Sequence, residues 1–203
     1  MKRILDKAKI EESLHLLGEL LNRRHAGPFR LIICGGSALL VCGLRSEATK
    51  DVDILAFFGN KTEIQVANSM PEDLEKAAQS VAVQMNLDAH WLNAGPSSIV
   101  NPHLPNLGLP EGFVTRLAEK KYGPMLNVYF IGRLDQIHFK LYASVDRGGP
   151  SYHLDDLLQL NPTEMELIAA AKWSTSQDPS PAYFQTLKSM LKAIGHGTIV
   201  EKI

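Results

Sequence analysis

Apolar positions along the chain recur first with mixed helical and strand spacing and then, over the last third, with helical spacing alone. Ile10, Leu14, Leu17, Leu20 and Leu21 fall on one helical face, and Gly27-Pro28 stops that helix after Arg23, Arg24 and His25. "FRLIIC" (29–34) has the short β-branched run of a buried strand and ends at Gly35-Gly36. Ser37 then takes an N-cap position before the short apolar helix "SALLVCGL", and "DVDILAFF" (51–58) reads as the next strand. Pro71 at a first helical position, with Ser69 as its cap and Glu72 and Asp73 in the first turn, opens a helix through about Met85. "LDAHWL" (87–92) reads as a third strand. Residues 93–112, rich in proline, glycine and asparagine, form a loop of unusual length for a compact domain, either functional or a flap.

"MLNVYFI" (125–131) is again strand-like, and Leu134, Ile137, His138, Leu141 and Tyr142 make a helical stripe after it. Three more helices follow: "YHLDDLLQL", "PTEMELIAAAKWSTS" capped by Asn161, and "PAYFQTLKSMLKAIG" stopped by Gly195. The expected fold is α/β (α+β), a mixed sheet flanked by helices with a helical part after it. The expected division is a core over residues 1–132 and a helical region over 133–203.

Composition narrows the class without naming a function. With 203 residues, 45% of them apolar, the chain can build a true core. A formal net charge of −1 does not advertise a broad polyanion-binding surface, and nucleic acid would need a local patch such as Arg116, Lys120, Lys121 and Arg133. The two cysteines, Cys34 and Cys42, sit in apolar runs and suit a reducing cytoplasm. The opening segment has no uninterrupted apolar core, and no apolar run is long enough to cross a bilayer, so a soluble, unexported protein with no membrane partner is expected. The seven histidines show no HxxxH or cysteine-paired spacing, which argues against zinc.

The chemistry concentrates between Leu31 and Phe58. Asp51 and Asp53, two apart on a strand, share a face, while Val52 and Ile54 share the other. Two like charges so close call for a cation, and magnesium suits them because it takes one or two carboxylates and fills its shell with water and phosphate oxygens. Gly35-Gly36 allows a sharp turn and close approach of a ligand, and the helix beginning at Ser37 attracts anions. A nucleoside triphosphate and a metal are the pair this order of features suits. Neither GxxxxGK[ST] nor GxGxxG is present. Taken separately, a DxD is most often a solvated strand face and a GGS most often a turn.

"GGSALLVCGLRSEATKDVDIL" resembles the hallmark of the DNA polymerase beta-like nucleotidyltransferases: glycine, glycine or serine, serine, a spacer, then an acidic-x-acidic strand. Gly43, Arg45, Thr49, Asp51 and Asp53 add the pattern GxRxxxTxDVD, which looks like the minimal bacterial branch containing abortive-infection toxins of type IV toxin–antitoxin systems. "WLN" at Trp91 to Asn93 and "DQIHFKLYASVDRGGPSYHLDDL" are weaker echoes. The resemblance implies that Gly35, Gly36 and Ser37 hold the triphosphate, with Arg45, Thr49 and Lys140 as further nucleotide contacts. Asp51 and Asp53 would bind magnesium, and a third carboxylate from a neighbouring strand is assigned to Asp88. For Thr49 a structural role is an alternative; for Lys140, solvation; for Asp88, a plain exposed acid. Trp91 is assigned to packing, with base stacking as its alternative. Asp146, Arg147, Asp155 and Asp156 are explained by capping or a salt bridge.

The implied activity moves a nucleoside monophosphate from a triphosphate to an acceptor hydroxyl on a tRNA end, a protein or a small molecule, with an antitoxin as a further partner. The alternative is a catalytically degenerate module that binds nucleotide or a protein.

Overall fold

The computed structural model describes residues 4–59 and 63–203. It is a mixed α/β structure that divides into two compact units, Met1–Gly132 and Arg133–Ile203.

The first unit is a six-stranded mixed sheet with helices packed on it. Its elements run α1 (Lys7–Arg23), β1 (Phe29–Cys34), α2 (Gly35–Val41), β2 (Val52–Phe58), β3 (Ile64–Val66), α3 (Glu72–Gln84), β4 (Leu92–Asn93), β5 (Ala118–Lys121) and β6 (Leu126–Phe130). The strand order is β3-β2-β1-β6-β5, and β4 pairs with β2 as well. β1 is antiparallel to β2 and parallel to β6. β3 and β4 share the edge of β2 away from β1, β3 at its Phe58 end and β4 at its Val52 end. The core strands are apolar because neighbours cover both faces: Leu31, Ile32, Ile33, Ile54, Leu55, Val128 and Phe130 are all fully buried.

α1 starts at Asp6, whose carboxylate accepts the Lys9 N–H at 2.8 Å, and buries Ile10, Leu14, Leu17 and Leu21. It also grips the β5–β6 hairpin. Glu11 takes Lys120 Nζ at 2.6 Å and the Tyr122 hydroxyl at 2.7 Å, while the His15 ring meets Tyr122 edge-on at 4.9 Å. Burial would raise the Glu11 pKa, but these two donors outweigh it and hold the carboxyl below its ordinary value. The approach is so close that a Cβ on Gly18 would lie 1.6 Å from the Tyr122 carbonyl oxygen. Gly18→Ala is therefore expected to cost at least the upper end of the about 1–3 kcal/mol typical of overpacking, read as a lowered urea midpoint. An unchanged midpoint would mean that α1 does not sit against that backbone.

The expected helix from residue 71 forms one residue later, with Pro71 itself at the N-cap; Ser69 does not cap it. β3 and β5 were not foreseen. β3 has only three residues, too few for its Ile-Gln-Val alternation to mark a strand, and β5 reads AEKK with every residue exposed and carries no apolar alternation.

The second unit consists of α4 (Arg133–Asp146), α5 (Tyr152–Gln159), α6 (Glu164–Gln177) and α7 (Pro181–Ala193), with α4 packed against the other three. Ile137, Leu141, Leu157, Leu167, Ala170, Leu187 and Leu191 are among its fully buried apolar residues. The cap of α6 is Thr163 and not Asn161: Thr163 and Glu166 form a reciprocal capping box. Glu166 also takes Arg133 Nη1 at 2.5 Å, and Arg133 reaches the carbonyls of Leu160 and Asn161. Chiefly because of Arg133, the Glu166 carboxyl is held down at about 2.

Candidate functional site

Two irregularities at the end of β1 bring the candidate residues together. The first is a bulge. Ile32 pairs with Ala56 but Ile33 pairs with Ile54, so Leu55 is an extra residue on β2, and Asp53 instead of Ile54 stands opposite Cys34. The second is Gly35, which turns with φ +70 and opens α2 directly from β1. A Cβ on Gly35 would lie 2.7 Å from Asp53 Oδ2, and one on Gly36 would lie 2.8 Å from Thr49 Oγ1 and 3.7 Å from Arg45 Nη1. The glycine pair is thus needed for close approach, and the groups approaching it are the chain's own Asp53, Thr49 and Arg45.

Around this contact the loop into β2 is pinned. Thr49 exchanges two backbone hydrogen bonds with Leu5, at 2.7 and 2.9 Å, which supports the structural role considered for it. Arg45, with 18% of its side chain exposed, pairs with Glu47 at 3.5 Å. Ser37 departs from expectation. The helix starts two residues earlier with Cys34 at the N-cap, so Ser37 lies in its first turn, fully buried, and its hydroxyl donates to Cys34 O at 3.2 Å. A hydroxyl spent this way offers a ligand little.

The carboxylates are in unlike surroundings. Asp51 precedes β2 and is half-buried; burial raises its pKa, Lys50 partly offsets this, and the charge of Asp88 adds to it. Asp53 Oδ1 accepts a hydrogen bond from Asn93 Nδ2 at 3.1 Å. Asp88 is not on a strand, contrary to the expectation: β4 begins only at Leu92, and Asp88 is an exposed turn residue whose Oδ1 accepts the His90 N–H at 2.9 Å. The physical reason is the short side-chain-to-backbone bond, which favours a turn over an extended conformation. The side chain that the neighbouring strand does supply to Asp53 is Asn93, paired with it in register. An acid was sought there, and an amide gives no charge signal in a sequence; "WLN" was the visible clue.

A carboxyl whose folded pKa is raised favours the fold while protonated and loses that contribution as pH rises through its folded pKa. Asp51→Asn is expected to melt above the wild type at pH 7, with the gap closing below about pH 4. A wild type that melts higher at pH 7 would contradict this sign.

Among the described residues no group of three or more His, Cys, Asp or Glu side chains could hold a metal ion. Asp51 and Asp53 alone fit magnesium in the sense that it needs only one or two carboxylates when phosphate and water complete its shell.

The remaining candidates have other partners or surroundings. Lys140 belongs to the second unit, where its ammonium donates to Asp156 at 2.6 Å with side-chain exposures of 5% and 3%. Asp156 therefore answers Lys140. Trp91 is fully buried and its indole N–H donates to Ala78 O at 2.9 Å, which leaves packing and excludes base stacking. Of the basic residues considered for a nucleic-acid patch, Lys120 is paired with Glu11 and Arg133 with Glu166, while Lys121 is exposed. The segment after β4 forms a short 3-10 turn at Gly95–Ile99, packed on β2, and a tight turn at Pro105–Gly108 in which Asn106 and Leu107 have positive φ. Among the described residues no helix is long and apolar enough to cross a membrane. Comparisons with protein-family models, with curated proteins and with solved structures gave no match.

Proposed function

We propose that this chain is a magnesium-dependent nucleotidyltransferase that moves a nucleoside monophosphate from a triphosphate to an acceptor hydroxyl. One observation carries the reading: the bulge and the glycine turn bring Asp53 against Gly35, with Thr49 and Arg45 against Gly36. A strand end with Asp53 beside a backbone turn and a guanidinium, and with Asp51 just before the strand, has the parts needed to hold magnesium and a charged triphosphate. In the transfer, the acceptor hydroxyl gives up its proton to water, its oxygen bonds to the α-phosphorus, and the bond to the bridging oxygen breaks, releasing pyrophosphate. Asp51 and Asp53 would hold magnesium, which would neutralise triphosphate charge and stabilise the attacking and leaving oxygens. Gly35 and Gly36 let Asp53, Thr49 and Arg45 close on the turn, and Arg45 supplies positive charge beside it. The acceptor is a tRNA end, a protein side chain or a small molecule; a cytoplasmic toxin with an antitoxin partner is the setting we propose.

A second reading is favoured by Asn93 and Asp88. With an amide on the neighbouring strand and the acid in an exposed turn, the site has two carboxylates at the strand end and is suited to binding a nucleotide without transferring it.

Isothermal titration of the four ribonucleoside triphosphates, with and without magnesium, tests both. At least one should bind with magnesium and fail to bind Asp51→Ala/Asp53→Ala. Binding without label transfer to RNA, protein or aminoglycoside would favour the second reading. No binding would remove both. For a tRNA acceptor, affinity should fall steeply with salt, and indifference to salt would exclude it.

A further inference from the structure

Asn93 is held at both ends of its carboxamide. Nδ2 donates to Asp53 Oδ1 at 3.1 Å, and Oδ1 accepts the Gly95 N–H at 2.9 Å. Turning the amide over would set its oxygen against the carboxylate and its NH2 against an N–H donor, so the network fixes its orientation. The backbone beneath it is equally fixed. The Val52 N–H donates to Trp91 O at 2.6 Å, Val52 and Asp53 pair with Leu92 and Asn93, and the buried Trp91 is tied to α3 through Ala78 O. Asp53 is thereby held at Oδ1 by the amide of Asn93, while its Oδ2 lies next to Gly35.

We propose that Asn93 is a positioning residue for this site: it aims Asp53 and, being uncharged, keeps the strand end to two carboxylates, so that cation and triphosphate bind together. The inference rests on the nucleotidyltransferase reading. Two carboxylates leave most of a magnesium shell to other oxygens, and triphosphate oxygens supply them best. A third carboxylate at residue 93 would supply another ligand from the protein and let the cation bind first.

The test titrates magnesium chloride alone, and each ribonucleoside triphosphate with magnesium, into the wild type, Asn93→Ala and Asn93→Asp, with circular dichroism as the check on folding. The wild type should show no saturable binding of magnesium alone and clear binding of the magnesium–nucleotide pair. Asn93→Ala should weaken that pair by about 10–100-fold, the usual effect of removing a hydrogen-bond partner of a metal-binding group. Asn93→Asp, nearly isosteric and readable even if the alanine variant misfolds, should acquire binding and thermal stabilisation by magnesium alone, which a merely structural asparagine would not confer. Nucleotide binding within twofold of wild type in Asn93→Ala, or no response of folded Asn93→Asp to magnesium alone, overturns the proposal while leaving the nucleotidyltransferase reading intact. Failure of the wild type to bind any magnesium–nucleotide pair overturns both.

Discussion

Asp53→Asn is expected to reduce magnesium-dependent nucleotide transfer by about 10³-fold or more, the equivalent of the several kcal/mol a correctly held metal contributes. The change removes one charge and almost no volume. Its Oδ1 can still accept from Asn93, and the position opposite Cys34 set by the bulge is unaltered, so the sheet should keep its stability. The check is incorporation of label from each triphosphate into total RNA and protein, beside a melting curve. Transfer within tenfold of the wild type, in a protein that melts normally, would remove Asp53 from the chemistry and with it the main support for the proposed activity. Loss of transfer together with loss of structure would show that Asp53 holds the β1–α2 turn in place.

The largest stability effect is expected at Lys140. Its ammonium and the Asp156 carboxylate are almost completely shielded from water and meet at 2.6 Å. Lys140→Ala should destabilise the protein by about 3–5 kcal/mol because it strands a buried carboxylate, whereas Lys140→Met combined with Asp156→Leu should remain within about 1 kcal/mol of the wild type. Urea unfolding followed by helical circular dichroism measures both. The chain divides into two units, so the transition belonging to the α4–α7 helices must be separated from that of the sheet before it is fitted. An alanine variant as stable as the wild type would mean that the pair contributes nothing to folding and would leave the lysine to serve a phosphate.

The elements legible in the sequence are those whose apolar spacing is set by burial. β1, β2 and β6 are covered on both faces and read as continuous apolar runs, while α1 and α4 show clear stripes. β4 was expected too early in the chain and β5 was not expected at all, for different reasons. β5 is an edge strand carrying charge, and β4 has two residues, with its extended course displaced from Asp88 to Leu92 by the turn that Asp88 itself stabilises. At the candidate site Gly35, Gly36, Asp51 and Asp53 were legible as types and spacing. Their arrangement was not, because it depends on the single extra residue Leu55, and a bulge leaves no mark on a local apolar pattern. Ser37 was misread because a serine after two glycines looks like a cap, and the positive φ of Gly35 allowed the helix to begin before it.

The pairing of β1 with β6 also governs how this chain must be made. β2 follows β1 closely, but the first β6 partner of Phe29 is Leu126, so one edge of the central strand stays open until roughly a hundred further residues have been synthesised. At ordinary translation speeds of about 5–20 residues per second, that interval is on the order of 5–20 s. Throughout it, the apolar run Leu31, Ile32 and Ile33 presents unpaired backbone to whatever strand lies nearest. A ribosome stalled between β4 and β6 therefore carries a nascent chain with its Asp53 turn encoded and one edge of its central strand open to pairing with another chain.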